Sequence, residues 1–132
     1  MWIPYETRRN YPTDFVVRYR FFAAEEGGRK HLPFQGYRGD FAIEDDFKGS
    51  NIDLRMIHPE FEDELGNIIT DTTIQVPKSG RARMWVLFEE SRPRHRNTLK
   101  VGMKGYFMEG PKKVGEAEII EIIGLNSNPI KE

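Results

Sequence analysis

Between residues 14 and 24 the sequence DFVVRYRFFAA changes character with every residue. Phe15, Val17, Tyr19 and Phe21 fall on one face, and Val16, Arg18, Arg20 and Phe22 on the other. Aromatic and β-branched residues at a period of two are the pattern of a half-buried strand. That pattern sets Arg18 and Arg20 side by side on the wetter face. It constrains the fold because it recurs. Residues 36–44, 51–57, 67–77, 81–90, 104–109 and 114–124 also read as strands. Turn signals separate them: Gly27-Gly28, the run DDFKGS at 45–50, Lys78-Ser79-Gly80 and Gly110-Pro111. Gly39, inside the second of these segments, marks a bulge or a close backbone approach. Many short strands with turns between them predict an all-β sandwich or barrel. A closed barrel also removes the sticky edges of an aromatic-rich sheet.

Three segments organise the chain on this reading. Residues 1–13 are an extended arm, since Pro4 and Pro12 disfavour a helix. Residues 14–125 are the β-barrel domain, and residues 126–132 are a C-terminal tail. A length of 132 residues is that of a single domain. The absence of cysteine excludes disulfides and thiolate metal ligation. The longest apolar runs, 15–17, 84–88 and 119–123, are too short to cross a bilayer as a helix. The first residues show no secretory h-region. A soluble, cytoplasmic protein is the expectation, with no membrane partner.

Candidate chemistry is sparse. His31, His58 and His95 fall in three separate loops without metal-ligand spacing, and no G-x-S-x-G elbow is present. The acidic run Glu60, Glu62, Asp63 and Glu64 lacks the spacing of a calcium loop and reads as solvated charge. No catalytic residues, metal or cofactor are expected. The richest electrostatic feature is the segment 91–100, SRPRHRNTLK. Arg92, Arg94, Arg96 and Lys100, with Arg18 and Arg20 on the strand, form a candidate RNA-binding face, because guanidiniums grip phosphates bidentately. Against it, 20 basic and 21 acidic residues leave a net charge of -1, without the basic excess of a dedicated nucleic-acid binder.

The stretch EEGGRKHLPFQGYRGDF at 25–41 resembles the opening of the C-terminal β-barrel domain of elongation factor Tu. Glu26, Gly27, Gly28, Arg29, Pro33, Phe34, Gly36, Tyr37, Arg38 and Phe41 occupy matching places. Tyr106, Phe107, Met108, Glu109 and Gly110, followed by Lys113, Val114 and Gly115, resemble that family's closing hairpin. Pro77 to Gly80 resembles its proline-glycine turn. The resemblance runs over 15–125 and implies a six-stranded antiparallel closed barrel and a link to translation. There are departures. No G-x-x-x-x-G-K-[ST] loop exists to hold a nucleotide. Gly39 and Asp40 stand where the family has proline and glutamine. The family's GTPase-facing positions correspond to Gly27, Asp40 and Tyr106, so the resemblance implies a protein-partner patch of Gly27, Gly28, Arg38, Asp40 and Tyr106. The family's tRNA-contacting segment corresponds to 44–53, where Glu44, Asp45, Asp46 and Asp53 would repel phosphates. The resulting expectation is a non-catalytic module that binds a protein partner, with RNA binding as the rival.

Overall fold

The computed structural model describes residues 1–130. The last two residues of the tail lie outside them. Along the chain come α1 (Tyr5–Arg9), β1 (Phe15–Phe21), β2 (Asp40–Ile43), β3 (Ile57–Phe61), β4 (Ser79–Val86), α2 (Arg92–Thr98), β5 (Lys104–Glu109) and β6 (Lys112–Ile122). Three 3-10 turns, at Ala24–Glu26, Glu44–Phe47 and Glu89–Ser91, punctuate it. No described helix is long and apolar enough to cross a membrane.

The six strands form one antiparallel sheet in the order β2-β5-β6-β1-β4-β3. β1, the segment with the strictest alternation, lies between β6 and β4. The sheet curls into a half-barrel around the core rather than the closed barrel expected. β2 and the residues just before β3 meet through an isolated bridge, in which Phe41 and Arg55 exchange N–H···O bonds of 3.0 and 2.8 Å. The closing ladder is absent because residues 51–56, expected as a strand, do another job. Ile52 and Leu54 turn outward onto Ala42, Tyr106 and Met108 and cover a second, smaller apolar cluster.

Inside the curl, Phe15, Tyr19, Phe21, Phe41, Phe61 and Phe107 are packed edge-to-face or tilted. Ring centroids lie 5.2 Å apart for Tyr19–Phe61, 5.4 Å for Phe21–Phe107 and 5.8 Å for Phe15–Phe41. Each such pair contributes about 0.5–1.5 kcal/mol beyond its buried area. Gly105 is required by this packing: a Cβ there would lie 2.3 Å from the Phe41 ring.

Four further expectations are corrected. The strand expected over 51–57 runs instead over Ile57–Phe61 with Pro59 inside it; β3 is an edge strand paired with β4, so the missing N–H breaks no ladder bond. Residues 67–77 make only isolated bridges, at Ile68 and Gln75. There Asp71 captures the Thr73 N–H at 2.9 Å and its hydroxyl at 2.6 Å, a local turn that competes with strand pairing. The arm is not extended: Pro4 precedes the first helical residue, where a missing N–H leaves no helical bond unmade, and α1 follows. The segment 91–100 is not a loop but carries α2, which opens with Pro93 in its first turn.

Candidate functional site

The outer face of the sheet is covered at both flanks. Over β3 and β4 lies the arm. Glu60, 1 % exposed, accepts the Trp2 indole N–H at 2.7 Å, the Trp85 indole N–H at 3.1 Å and the Tyr5 backbone N–H at 2.9 Å. Tyr5 and Tyr11 pack on Trp85 with centroids 5.3 and 6.1 Å away. The Arg8 guanidinium lies 4.5 Å from both the Trp2 and Tyr5 rings. The arm therefore spends its aromatics and Arg8 on its own domain.

Over β2 and β5 lies the segment 44–54. Asp46 accepts the Ile43 N–H and pairs with Arg55 at 2.8 Å, both side chains fully sequestered. Arg55 also reaches the Thr98 hydroxyl at 2.7 Å and the His95 Nδ1 at 3.1 Å, tying this cover to α2. Burial first, then the Arg55 charge, pushes the His95 imidazole down to about 4, so the ring is neutral and its Nδ1 accepts from Arg55.

Between the two covers, the outer face of β4, β1, β6 and β5 is bare. It forms an open groove of about 630 Å³ lined by Arg18, Arg20, Arg81, Lys104, Glu116 and Glu118, with Ser79 at one end. The register assembles it. Arg18 sits opposite Arg81 on β4 and Glu118 on β6, Arg20 opposite Ser79 and Glu116, and Lys104 opposite Glu118. The charges pair loosely: Arg18–Glu118 at 3.7 Å, Arg20–Glu116 and Lys104–Glu116 at 3.3 Å, and Arg20–Glu26 at 3.0 Å. The Ala23 backbone N–H, then Arg20, holds the Glu26 carboxyl below its ordinary value. Arg81 shares Glu62 with Arg83.

Of the predicted nucleic-acid residues, then, Arg18 and Arg20 reach this groove. Arg92 does not reach the surface: its side chain and that of Asp14 are both 0 % exposed and pair at 2.8 Å, and Tyr11 and Asn128 join the network. Arg94 is exposed but engaged by Asp53. Arg96 donates to the carbonyls of Leu125 and Asn128, and Lys100 is exposed. Helix α2 thus uses its arginines mainly to fasten the cover and the tail.

The predicted protein patch divides. Gly27 and Arg38 are exposed, Asp40 is half-buried, and Gly28 and Tyr106 are buried. A Cβ on Gly28 would lie 2.1 Å from the Phe22 carbonyl oxygen, and its own carbonyl accepts from Lys112 at 3.2 Å. That places the glycine loop against the β5–β6 hairpin, where Arg29 and Tyr37 both bond Glu109. Arg29 therefore ties the loop to the hairpin. Asp40 and Tyr106 share the outer face, diagonally across β2 and β5. The Tyr106 hydroxyl is held by Glu44, and Lys113 lies 3.9 Å over its ring. Asp40 stands 3.7 Å from His58, whose imidazole burial pushes below its ordinary value while Asp40 pulls it back.

The acids predicted as solvated are not all so. Glu60 and Glu62 are buried on β3 and just after it. Among the described residues every buried side-chain nitrogen and oxygen is hydrogen-bonded, and no three His, Asp or Glu side chains converge as a metal site. Arg81, Lys104, Glu116, Glu118 and Ser79 are groove residues that sequence reasoning missed, Arg81 and Lys104 being its further cations. Only the strand register sets these two cations beside Arg18 and Glu118, and nothing local to either residue marks it.

No protein-family model matches the chain, and no characterised protein matches it.

Proposed function

We propose that this protein is a non-catalytic binding module that docks a protein partner on the bare strip of its sheet. The observation that carries this reading is the division of the outer face. Its flanks are sealed by the chain's own arm and by the segment 44–54, while the centre keeps a wide groove of loosely paired, exposed charges. The buried acids and arginines, Asp14, Asp46, Glu60, Glu62, Arg55 and Arg92, are all bonded within the fold, to one another, to its backbone and indoles or, for Glu62, to Arg81 and Arg83. They hold the cover segments down, which supports a role in presenting a surface. The resemblance of residues 25–41 to the elongation factor Tu barrel supports a partner in translation and a soluble, cytoplasmic setting. Gly27, Arg38 and Asp40 extend the contact around the β2 end.

One observation favours RNA instead: the groove carries four cations, Arg18, Arg20, Arg81 and Lys104, against Glu116 and Glu118. Affinity for single-stranded RNA that falls steeply with salt, and that Arg18→Gln abolishes, would establish that second reading. Affinity capture of partners from native lysate, with Arg20→Glu as the control bait, tests the first. The expected result is a reproducible partner lost with the control; a partner set identical for both baits overturns it.

A further inference from the structure

The register of β1 against β4 sets two arginines, Arg18 and Arg81, directly opposite each other on the outer face. Directly opposed side chains in an antiparallel pair have Cβ atoms about 4.5–5.5 Å apart, and like charges there are destabilising. Both side chains are more than half exposed, at 66 % and 51 %, so burial does not explain the choice. Arg20 adds a third guanidinium two residues along the same face, beside Ser79. The carboxylates within reach only partly offset this crowding. Glu118 sits 3.7 Å from Arg18, Glu62 is divided between Arg81 and Arg83, Glu116 between Arg20 and Lys104, and Glu26 pairs with Arg20. A local arrangement that opposes folding, without compensation from packing, is expected where a surface serves binding.

We propose that this arginine corner seats an acidic peptide segment of a partner protein, an inference that rests on the protein-binding reading above. A carboxylate bridging Arg18 and Arg81 relieves their repulsion and takes charge-assisted, bidentate hydrogen bonds that the two guanidiniums cannot make to each other. A second carboxylate reaches Arg20 and the Ser79 hydroxyl. From Arg81 on β4 across β1 and β6 to Lys104 on β5 is three strand spacings, about 14 Å, the span of about four extended residues. Glu116 and Glu118 stand within that span. They oppose an unbroken phosphate backbone, whereas a peptide can set a neutral or basic residue against them. Tyr19, the aromatic residue in the lining, is 2 % exposed with its ring in the core, so it presents no face on which a base could stack.

The test is fluorescence anisotropy on the full chain at low salt, with three labelled probes: an acidic peptide of about eight residues, long enough to cross the groove, a lysine-serine peptide of equal length, and oligouridine RNA. The acidic peptide is expected to bind in preference to both others. The double substitution Arg18→Gln with Arg81→Gln should weaken it by about tenfold or more, equivalent to about 1.4 kcal/mol, while the thermal midpoint stays the same or rises because the like-charge pair is gone. Lys100→Gln, an exposed cation beyond the groove, should leave affinity within about twofold. No binding of the acidic peptide, an equal loss with Lys100→Gln, or tighter binding of oligouridine through the same arginines would each overturn the proposal. A lysate partner retained by the double variant would overturn this site while leaving the binding-module reading intact.

Discussion

The flanks and the centre of the same sheet face handle charge in opposite ways. At the flanks and strand ends, ionisable groups are buried and fully bonded: Glu60 under two indoles, Asp46 against Arg55, and Asp14 against Arg92 where β1 begins, both ion pairs at or near zero exposure. At the centre, Arg18, Arg20, Arg81 and Lys104 face water and pair in the open, at 3.0–3.7 Å. A buried pair is costly to form and more costly to break on one side, because the surviving charge is stranded. An exposed pair contributes little either way. The flanks are therefore structural and the centre is free to exchange partners.

Several measurements break or sharpen that contrast. The largest effect is expected at Asp46→Ala, which strands Arg55 in the interior. Denaturant unfolding should show a loss of about 3–5 kcal/mol, and a loss below about 1 kcal/mol would mean that the cover is not held by this pair. Next comes pH. The folded pKa of His95 lies below its ordinary value, at about 4. Its contribution is thus complete above the unfolded value near 6.5 and is lost as pH falls from there toward 4. The loss amounts to about 3 kcal/mol. His95→Gln, which keeps an acceptor for Arg55, should flatten that part of the stability–pH curve; an unchanged slope would assign it to other groups. Glu60→Ala leaves two indole N–H groups without their acceptor and should cost about 2 kcal/mol. Since Trp2 and Trp85 are the two tryptophans of the chain, a red shift of emission should accompany it as the arm lifts. At the centre, Glu118→Gln should change stability by no more than about 0.5 kcal/mol. A loss as large as that of Glu60→Ala would erase the contrast.

Legibility followed the same division. β1 and β6 were readable because one side of each strand meets the core and much of the other meets water, which writes a period of two into the residues. The cover segments were not. Ile52 and Leu54 alternate like strand residues, yet their apolar side packs onto Tyr106 and Met108 on the outside of the sheet. Helix α2 hid for a different reason: its buried residues are Arg92 and His95, so no apolar stripe marks it. The groove was half legible. Arg18 and Arg20 declared themselves by spacing, whereas Arg81 and Lys104 needed the pairing of strands far apart in the chain. Arg92 read as a free cation because its partner, Asp14, lies 78 residues away.

The order of residues by itself determined that this chain would be a sheet protein, since alternation is a local property that each segment carries without reference to any other. It also placed two arginines on one wet face. Only the tertiary structure decided that the sheet stops at a half-barrel, that the arm and the segment 44–54 seal its flanks, and which charges remain available. Those outcomes depend on burial, and burial is set by contacts between residues as distant as Trp2 and Glu60, 58 positions apart, which no local pattern encodes.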